Sequence, residues 1–294
     1  PNNFISSVFQ DSEGRIWVGS DKGAARYTPI TDSFSLCEGI EGMVVTSFAE
    51  NSEGTVFCAA AGNLYRLAGD NRFEPVTYGL NNHPITPVNV IAVDHNDNLW
   101  IGARNGLTSY DPTFTTRNHI TDPDADINDV KNKILDLFVD KDNNIWAGRN
   151  GGGVVCLRQK EMNVRTYTVA DGLANNVVRA VSQDDHGRIW FGTEGGISLM
   201  DSDGHLDNIR QEFANRFSLN DNAIYEIVRD NNGNMWIGTY FGGLNIFLKD
   251  YEAFTYYIAG DQRNQLKGKA VRQMVEQEDG TLWIATEDGG LNRM

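Results

Sequence analysis

The sequence predicts an all-β fold: a seven-bladed β-propeller of four-stranded antiparallel blades. Three observations predict it. A phrase typified by residues 184–196, DDHGRIWFGTEGG, returns seven times along the chain. Aligned on its aromatic residue, the copies put Trp17, Phe57, Trp100, Trp146, Trp190, Trp236 and Trp283 in one column, which absorbs every tryptophan present. The spacings between them are 40, 43, 46, 44, 46 and 47 residues, the length of one four-stranded propeller blade.

Each part of the repeat has a structural reason. The unit opens with an apolar strand, A, as in residues 5–10, 178–183 and 224–229. Its apolar side chains recur six and three positions before the turn residue (Ile5 and Val8, Val178 and Val181). That spacing changes parity, so either a bulge intervenes or both faces are buried between blades. The turn follows. Asp11, Asn51, Asp94, Asp140, Asp184, Asp230 and Gln277 open it, and short polar side chains bond readily to turn backbone. Three residues later stand Gly14, Gly54, Asp97, Asn143, Gly187, Gly233 and Gly280. These residue types tolerate the positive φ of a tight hairpin.

Strand B then carries the aromatic residue, and two positions on comes Gly19, Ala59, Gly102, Gly148, Gly192, Gly238 or Ala285. Side chains two apart share a face, so the small residue leaves room for an indole or for a neighbouring sheet. After a Gly-containing loop comes strand C, as in residues 197–201 and 244–247. An outer strand D is visible at residues 73–77, 164–168 and 254–258 and is poorly defined around 204–209. A meander A-B-C-D repeated seven times closes a ring.

One domain of 294 residues is expected, with blades at roughly 1–40, 41–83, 84–129, 130–173, 174–219, 220–267 and 268–294. The last copy stops in strand C, which predicts a three-stranded final blade with an exposed edge. The chain opens on Pro1-Asn2-Asn3 rather than on Met or a signal sequence, and it reads as a piece of a longer protein.

Composition narrows the function. The net charge is −15, a field that repels phosphate backbones and argues against nucleic acid as a partner. No stretch approaches the roughly 18 apolar residues of a membrane span, so no membrane contact is expected from this segment. Cys37, Cys58 and Cys156 are odd in number and widely spaced, which supports neither a disulfide framework nor a zinc site. The histidines at 83, 95, 119, 186 and 205 show no metal-ligand spacing. Asp122-Pro123-Asp124-Ala125-Asp126 starts like a calcium loop but has Ile127 and Lys133 where Gly and Glu belong. No metal, cofactor or catalytic set is expected.

The repeat DxxGxxWxGTxxGL, preceded by GLxxNxVxxI as in Gly172-Leu173, Asn176, Val178 and Val181, resembles the two-component regulator propeller repeat over essentially the whole chain. Val, Ile, Ala or Phe follows each Trp, where WD40 repeats would show Asp. Blade 2 departs from the pattern at Phe57, Ala59 and Asn63. The resemblance implies a periplasmic location, in the extracytoplasmic sensor region of a membrane-anchored hybrid histidine kinase of Bacteroidetes. It further implies an oligosaccharide ligand, a neighbouring propeller or β-sandwich domain of the same chain, and a homodimer among the partners.

Ligand-binding residues are expected where B–C loops and the entries to strand A crowd one mouth of the channel, because function on a rigid frame sits in its varied loops. The candidates are Arg104, Asn105, Arg149 and Asn150 in the loops of blades 3 and 4, and Tyr240 and Phe241 in that of blade 6. Arg179, Tyr225 and Arg272 share a column near the start of strand A. Aromatic rings stack on sugar faces, and Arg or Asn bonds to hydroxyls and carboxylates. Tyr240 and Phe241 could equally pack on an adjoining loop or domain, as on a protein-docking scaffold. A column of Asn3, Asn132, Asn176 and Asn222 reads as strand-entry turn residues. A lyase like the streptogramin-lyase propellers would need His and Glu on converging loops, and no B–C loop here contains His.

Overall fold

The computed structural model describes residues 4–78, 83–120, 130–212, 215, 218–249, 253–260 and 265–294. Six four-stranded antiparallel sheets and one three-stranded sheet, each in sequence order, form seven blades. Strands A are Ile5–Gln10, Val45–Glu50, Val90–Val93, Ile134–Val139, Val178–Gln183, Ile224–Arg229 and Val271–Glu276. Blade 5 continues through Ile189–Thr193, Gly196–Met200 and Leu206–Ile209, so its outer strand is formed where the sequence showed it only poorly. Blade 7 stops at its third strand, Gly290–Arg293, after Leu282–Thr286. Asn3 and Asp122–Asp126 lie outside the described residues.

The outer strand of blade 2 is shorter than expected, Phe73–Pro75. Pro75 brings no N–H to the ladder, and beyond it Thr77–Tyr78 leaves the blade to pair with His83–Pro84.

A bulge resolves the parity of strand A. In six blades the register slips by one residue near the strand's start, between Val178 and Ala180 in blade 5, for example. The six- and three-residue apolar positions thereby reach the same interblade layer.

Among the described residues the core is divided between blades. Seven apolar clusters each straddle two consecutive blades. The last joins Trp283 and Ala285 of blade 7 to Ile5, Val8 and Tyr27 of blade 1 and so closes the ring. Val8 N–H donates to Gln273 Oε1 across the same seam at 2.7 Å.

The small residue of strand B faces the next blade rather than an indole. A Cβ on Gly192 would lie 2.7 Å from Ile224 Cγ2, and one on Gly102 2.5 Å from Ile134 Cγ2. The turn column adopts the left-handed conformation throughout, including Asp97 at φ 62° and Asn143 at φ 66°.

The residue that opens the turn does more than bond to backbone. Asp184 Oδ1 accepts the N–H groups of His186 and Arg188, while Oδ2 accepts the indole N–H of Trp190 at 3.0 Å. The same indole-to-carboxylate bond recurs from Trp17, Trp100, Trp146 and Trp236 to Asp11, Asp94, Asp140 and Asp230. In blade 7 the longer Gln277 serves, at 2.9 Å from Trp283. Blade 2 lacks both partners together: Phe57 has no donor, and the neutral side chain of Asn51 accepts only the turn amide of Thr55 among its described bonds. A buried carboxylate without that donor would be costly, which accounts for Asn in this one blade.

Candidate functional site

The bulge builds the mouth. Its extra residue, five before the turn residue, is Ser6, Thr46, Leu135, Arg179, Tyr225 or Arg272, with Asn89 at the same place in unbulged blade 3. A bulge re-aims the side chain of its extra residue. In blades 1 to 3 that side chain is spent on the next blade's backbone: Ser6 Oγ bonds to Val45 O at 2.5 Å, Thr46 Oγ1 to Asn89 O at 2.6 Å, and Asn89 Nδ2 to Ile134 O at 2.7 Å. Blades 5 to 7 carry Arg, Tyr and Arg instead. One half of the rim is therefore small and closed, and the other projects cations and rings.

On that half the side chains meet. The Arg179 guanidinium lies 4.4 Å from the centroid of the Tyr225 ring, and that of Arg272 lies 4.9 Å from it. Tyr240, from the B–C loop of blade 6, stacks on Tyr225 at 5.0 Å and 12° and touches Phe241 at 4.0 Å. Phe241 itself is 66% exposed. Each guanidinium is held by a glutamate of its own blade's B–C loop: Arg179 by Glu194 at 2.5 Å, Arg272 by Glu287 at 2.5 Å. Half-exposed pairs of this kind contribute about 0–1 kcal/mol each, so a ligand can displace them at little cost. Arg272 Nε is shielded from solvent and has no acceptor among the described residues. Burial pushes the Tyr225 phenol above its usual pKa against the opposing pull of both arginines.

The structure thus brings Arg179, Tyr225, Arg272, Tyr240 and Phe241 together. Arg149 is buried, with its Nη2 donating to the Gly152 carbonyl inside its own loop. Asn150 bonds through its backbone N–H to Lys133 O at 3.0 Å. Arg104 is exposed and Asn105 half-buried in the loop of blade 3, apart from the cluster. Asn176 and Asn222 are strand-entry residues: their side chains accept the amides of Val169 and Gln211, at 2.8 and 2.7 Å.

Sequence reasoning missed two groups. Glu194 and Glu287 stand in the B–C loops of blades 5 and 7, and nothing in the sequence marks the arginines they hold. Asp136 and Glu226, four residues before the turn in blades 4 and 6, line a cavity of about 630 Å³ towards the A–B end of the channel, with Lys141, Asp185 and Arg229. Asp136 Oδ2 accepts Val181 N–H from the next blade at 2.7 Å. Burial raises the Asp136 pKa to about 6, although the amides of Val181 and Leu137 oppose it. Glu226 is raised well above its usual value by burial first and by the charge of Asp136 second.

A carboxyl with a raised folded pKa binds its proton more tightly in the folded state. It therefore removes stability as pH climbs from about 4 to about 6. In Asp136→Asn this contribution vanishes, so the variant gains on the wild type across that window and holds its gain above it. Urea midpoints at pH 4, 5, 6 and 7.5 check this; parallel pH profiles would contradict it.

Comparison with known proteins places the repeat. The two component regulator propeller model matches residues 1–22, 172–195 and 218–241. Histidine kinase P4 of Formosa agariphila is 26% identical over 213 residues, which cover 67% of this chain and 14% of the kinase. The extracellular domain assigned to a hybrid two component system of B. thetaiotaomicron superposes with a TM-score of 0.81 at 19% identity, covering all of this chain and 40% of that one. Virginiamycin B lyase of Staphylococcus aureus gives a TM-score of 0.75 at 13% identity, covering 99% of this chain and 94% of the lyase. Both structural likenesses concern the fold. This chain spans a small part of the kinase and less than half of the extracellular domain. It is a seven-bladed β-propeller, three stretches of which match the two component regulator propeller repeat.

Proposed function

We propose that this propeller is the ligand-sensing part of the extracellular, periplasmic region of a two-component sensor, and that an oligosaccharide binds at the mouth formed by blades 5 to 7. The observation that carries the reading is the Arg179–Tyr225–Arg272 stack backed by Tyr240 and Phe241. It joins flat apolar faces to guanidinium donors, the combination that suits a sugar ring and its hydroxyls. The family repeats and the kinase relative supply the signalling context. The propeller itself is read as non-catalytic, because the B–C loops contain no histidine to act with Glu194 or Glu287 as an acid–base pair. Exposed Phe241 also favours a second reading, a docking contact to a neighbouring domain or a second copy.

Titration calorimetry against a panel of oligosaccharides tests the first reading. Binding heat is expected from at least one member, and Tyr225→Ala should weaken it by about tenfold or more, the effect of losing roughly 1.4 kcal/mol. Absence of heat from every member, or equal affinity in the variant, would exclude this mouth as the sugar site.

A further inference from the structure

The mouth of blades 5 to 7 is unevenly satisfied, and the bonds left unmade are of one kind. Glu194 takes Arg179 through a single oxygen: Oε1 accepts from Nε at 3.0 Å and from Nη2 at 2.5 Å. Glu287 takes Arg272 through Nη2 alone, also at 2.5 Å. Arg272 Nε is shielded from solvent without an acceptor. Nη1 of each arginine and the hydroxyl of Tyr225 likewise make no bond among the described residues. A guanidinium can only donate, and a phenol hydroxyl donates as readily as it accepts. Whatever completes this mouth must therefore bring acceptors, to a ring on which two cations converge at 4.4 and 4.9 Å.

The other carboxylates of this mouth do not supply them, because they are spent on backbone. Asp221 accepts the N–H groups of Ala223 and Phe241, at 3.2 and 3.0 Å, and Asp288 accepts that of Lys269 at 2.8 Å. The surroundings add cations instead. Lys269 is exposed beside the loop of Glu287, and the exposed Arg210 donates to the Gly195 carbonyl, next to Glu194, at 3.2 Å. Closing the rim does not call for arginine either, since Ser6, Thr46 and Asn89 do it in blades 1 to 3. In a chain of net charge −15, cations gathered at one mouth make a local exception to a field that otherwise repels anions.

We propose that the oligosaccharide bound here is acidic, and that Arg179 and Arg272 hold its oxyanion, a ring-borne carboxylate or a sulfate ester, beside Tyr225. The inference rests on the oligosaccharide reading above and narrows it to charged sugars. An oxyanion offers the acceptors that Arg272 Nε and the two Nη1 groups lack, and a guanidinium fork can meet it with two parallel bonds. Glu194 and Glu287 then act as exchangeable counter-ions. They neutralise the arginines in the free protein and yield to the ligand, because half-exposed pairs hold weakly. Tyr240 covers one side of Tyr225, so the exposed Phe241 is the ring open to the apolar face of the sugar.

Titration calorimetry with uronic-acid oligosaccharides and sulfated oligosaccharides, each beside its carboxyl-reduced or desulfated counterpart, tests it. At least one charged member should bind about tenfold or more tighter than its neutral counterpart, and the treatment that abolishes the difference names the anion. In Arg272→Gln the difference should shrink to about threefold or less. In Glu287→Gln the charged member should bind more tightly, because a competing carboxylate is gone; a glutamate that merely shapes the loop would give weaker binding, which would contradict its role as a counter-ion. Neutral counterparts that bind as well as the charged members would overturn the proposal and leave the oligosaccharide reading standing. So would a preference for charge that survives unchanged in Arg272→Gln. Heat from no member, charged or neutral, would remove both.

Discussion

Trp190→Ala lowers the unfolding free energy by about 3–5 kcal/mol, the usual cost of emptying a large aromatic site. Trp190 is fully buried between blades 5 and 6. It packs with Ile224, Ile227 and Ile237, meets Phe247 edge-on at 5.3 Å, and ties its indole N–H to Asp184. Truncation opens a cavity and also leaves the buried carboxylate short of a donor. Trp236→Ala should cost less, because that ring is already partly exposed. Denaturant unfolding of the two variants separates these effects. A loss below about 1 kcal/mol for Trp190, or an equal loss at both sites, would contradict the packing described.

Gly192→Val, two residues along the same strand, destabilises by overfilling. A Cβ at this position would stand 2.7 Å from Ile224 Cγ2 and 3.2 Å from Ala180 Cβ, so blades 5 and 6 must separate to admit it. Such overpacking costs about 1–3 kcal/mol. Gly192→Ala should fall between Gly and Val, since Ala59 and Ala285 occupy the equivalent place in blades 2 and 7 and are fully buried there. Thermal and denaturant midpoints ordered Gly, Ala, Val from high to low are the expected result. A Val variant as stable as the wild type would mean that the column does not set the spacing between blades.

The ring was legible because its demands repeat. A positive φ needs Gly, Asn or Asp, and an interblade contact needs Gly or Ala, so the columns at Gly187 and Gly192 and their equivalents show through seven divergent copies. Some signals were present without being decisive. The paired change at Phe57 and Asn51 already hinted that the turn carboxylate answers to the indole, six residues away. The bulge hid which strand A residues face the channel, because one slipped residue reverses every side chain before it. In the sequence Asp136 and Glu226 are single charges in apolar strands, and nothing there marks the cavity they share. At the mouth, Arg179, Tyr225 and Arg272 could be aligned as a column, but their stacking depends on the curvature that brings three blades together. The glutamates that hold the arginines lie 15 residues downstream in each case, across a hairpin.

The most direct measurement is solvent exchange of the six tryptophan indole N–H protons by NMR. A closed ring with each indole bonded to its turn predicts six resonances protected from exchange, with Trp236 the least protected. Indole protons exchanging as fast as those of free tryptophan, at Trp17 and Trp190 above all, would contradict it.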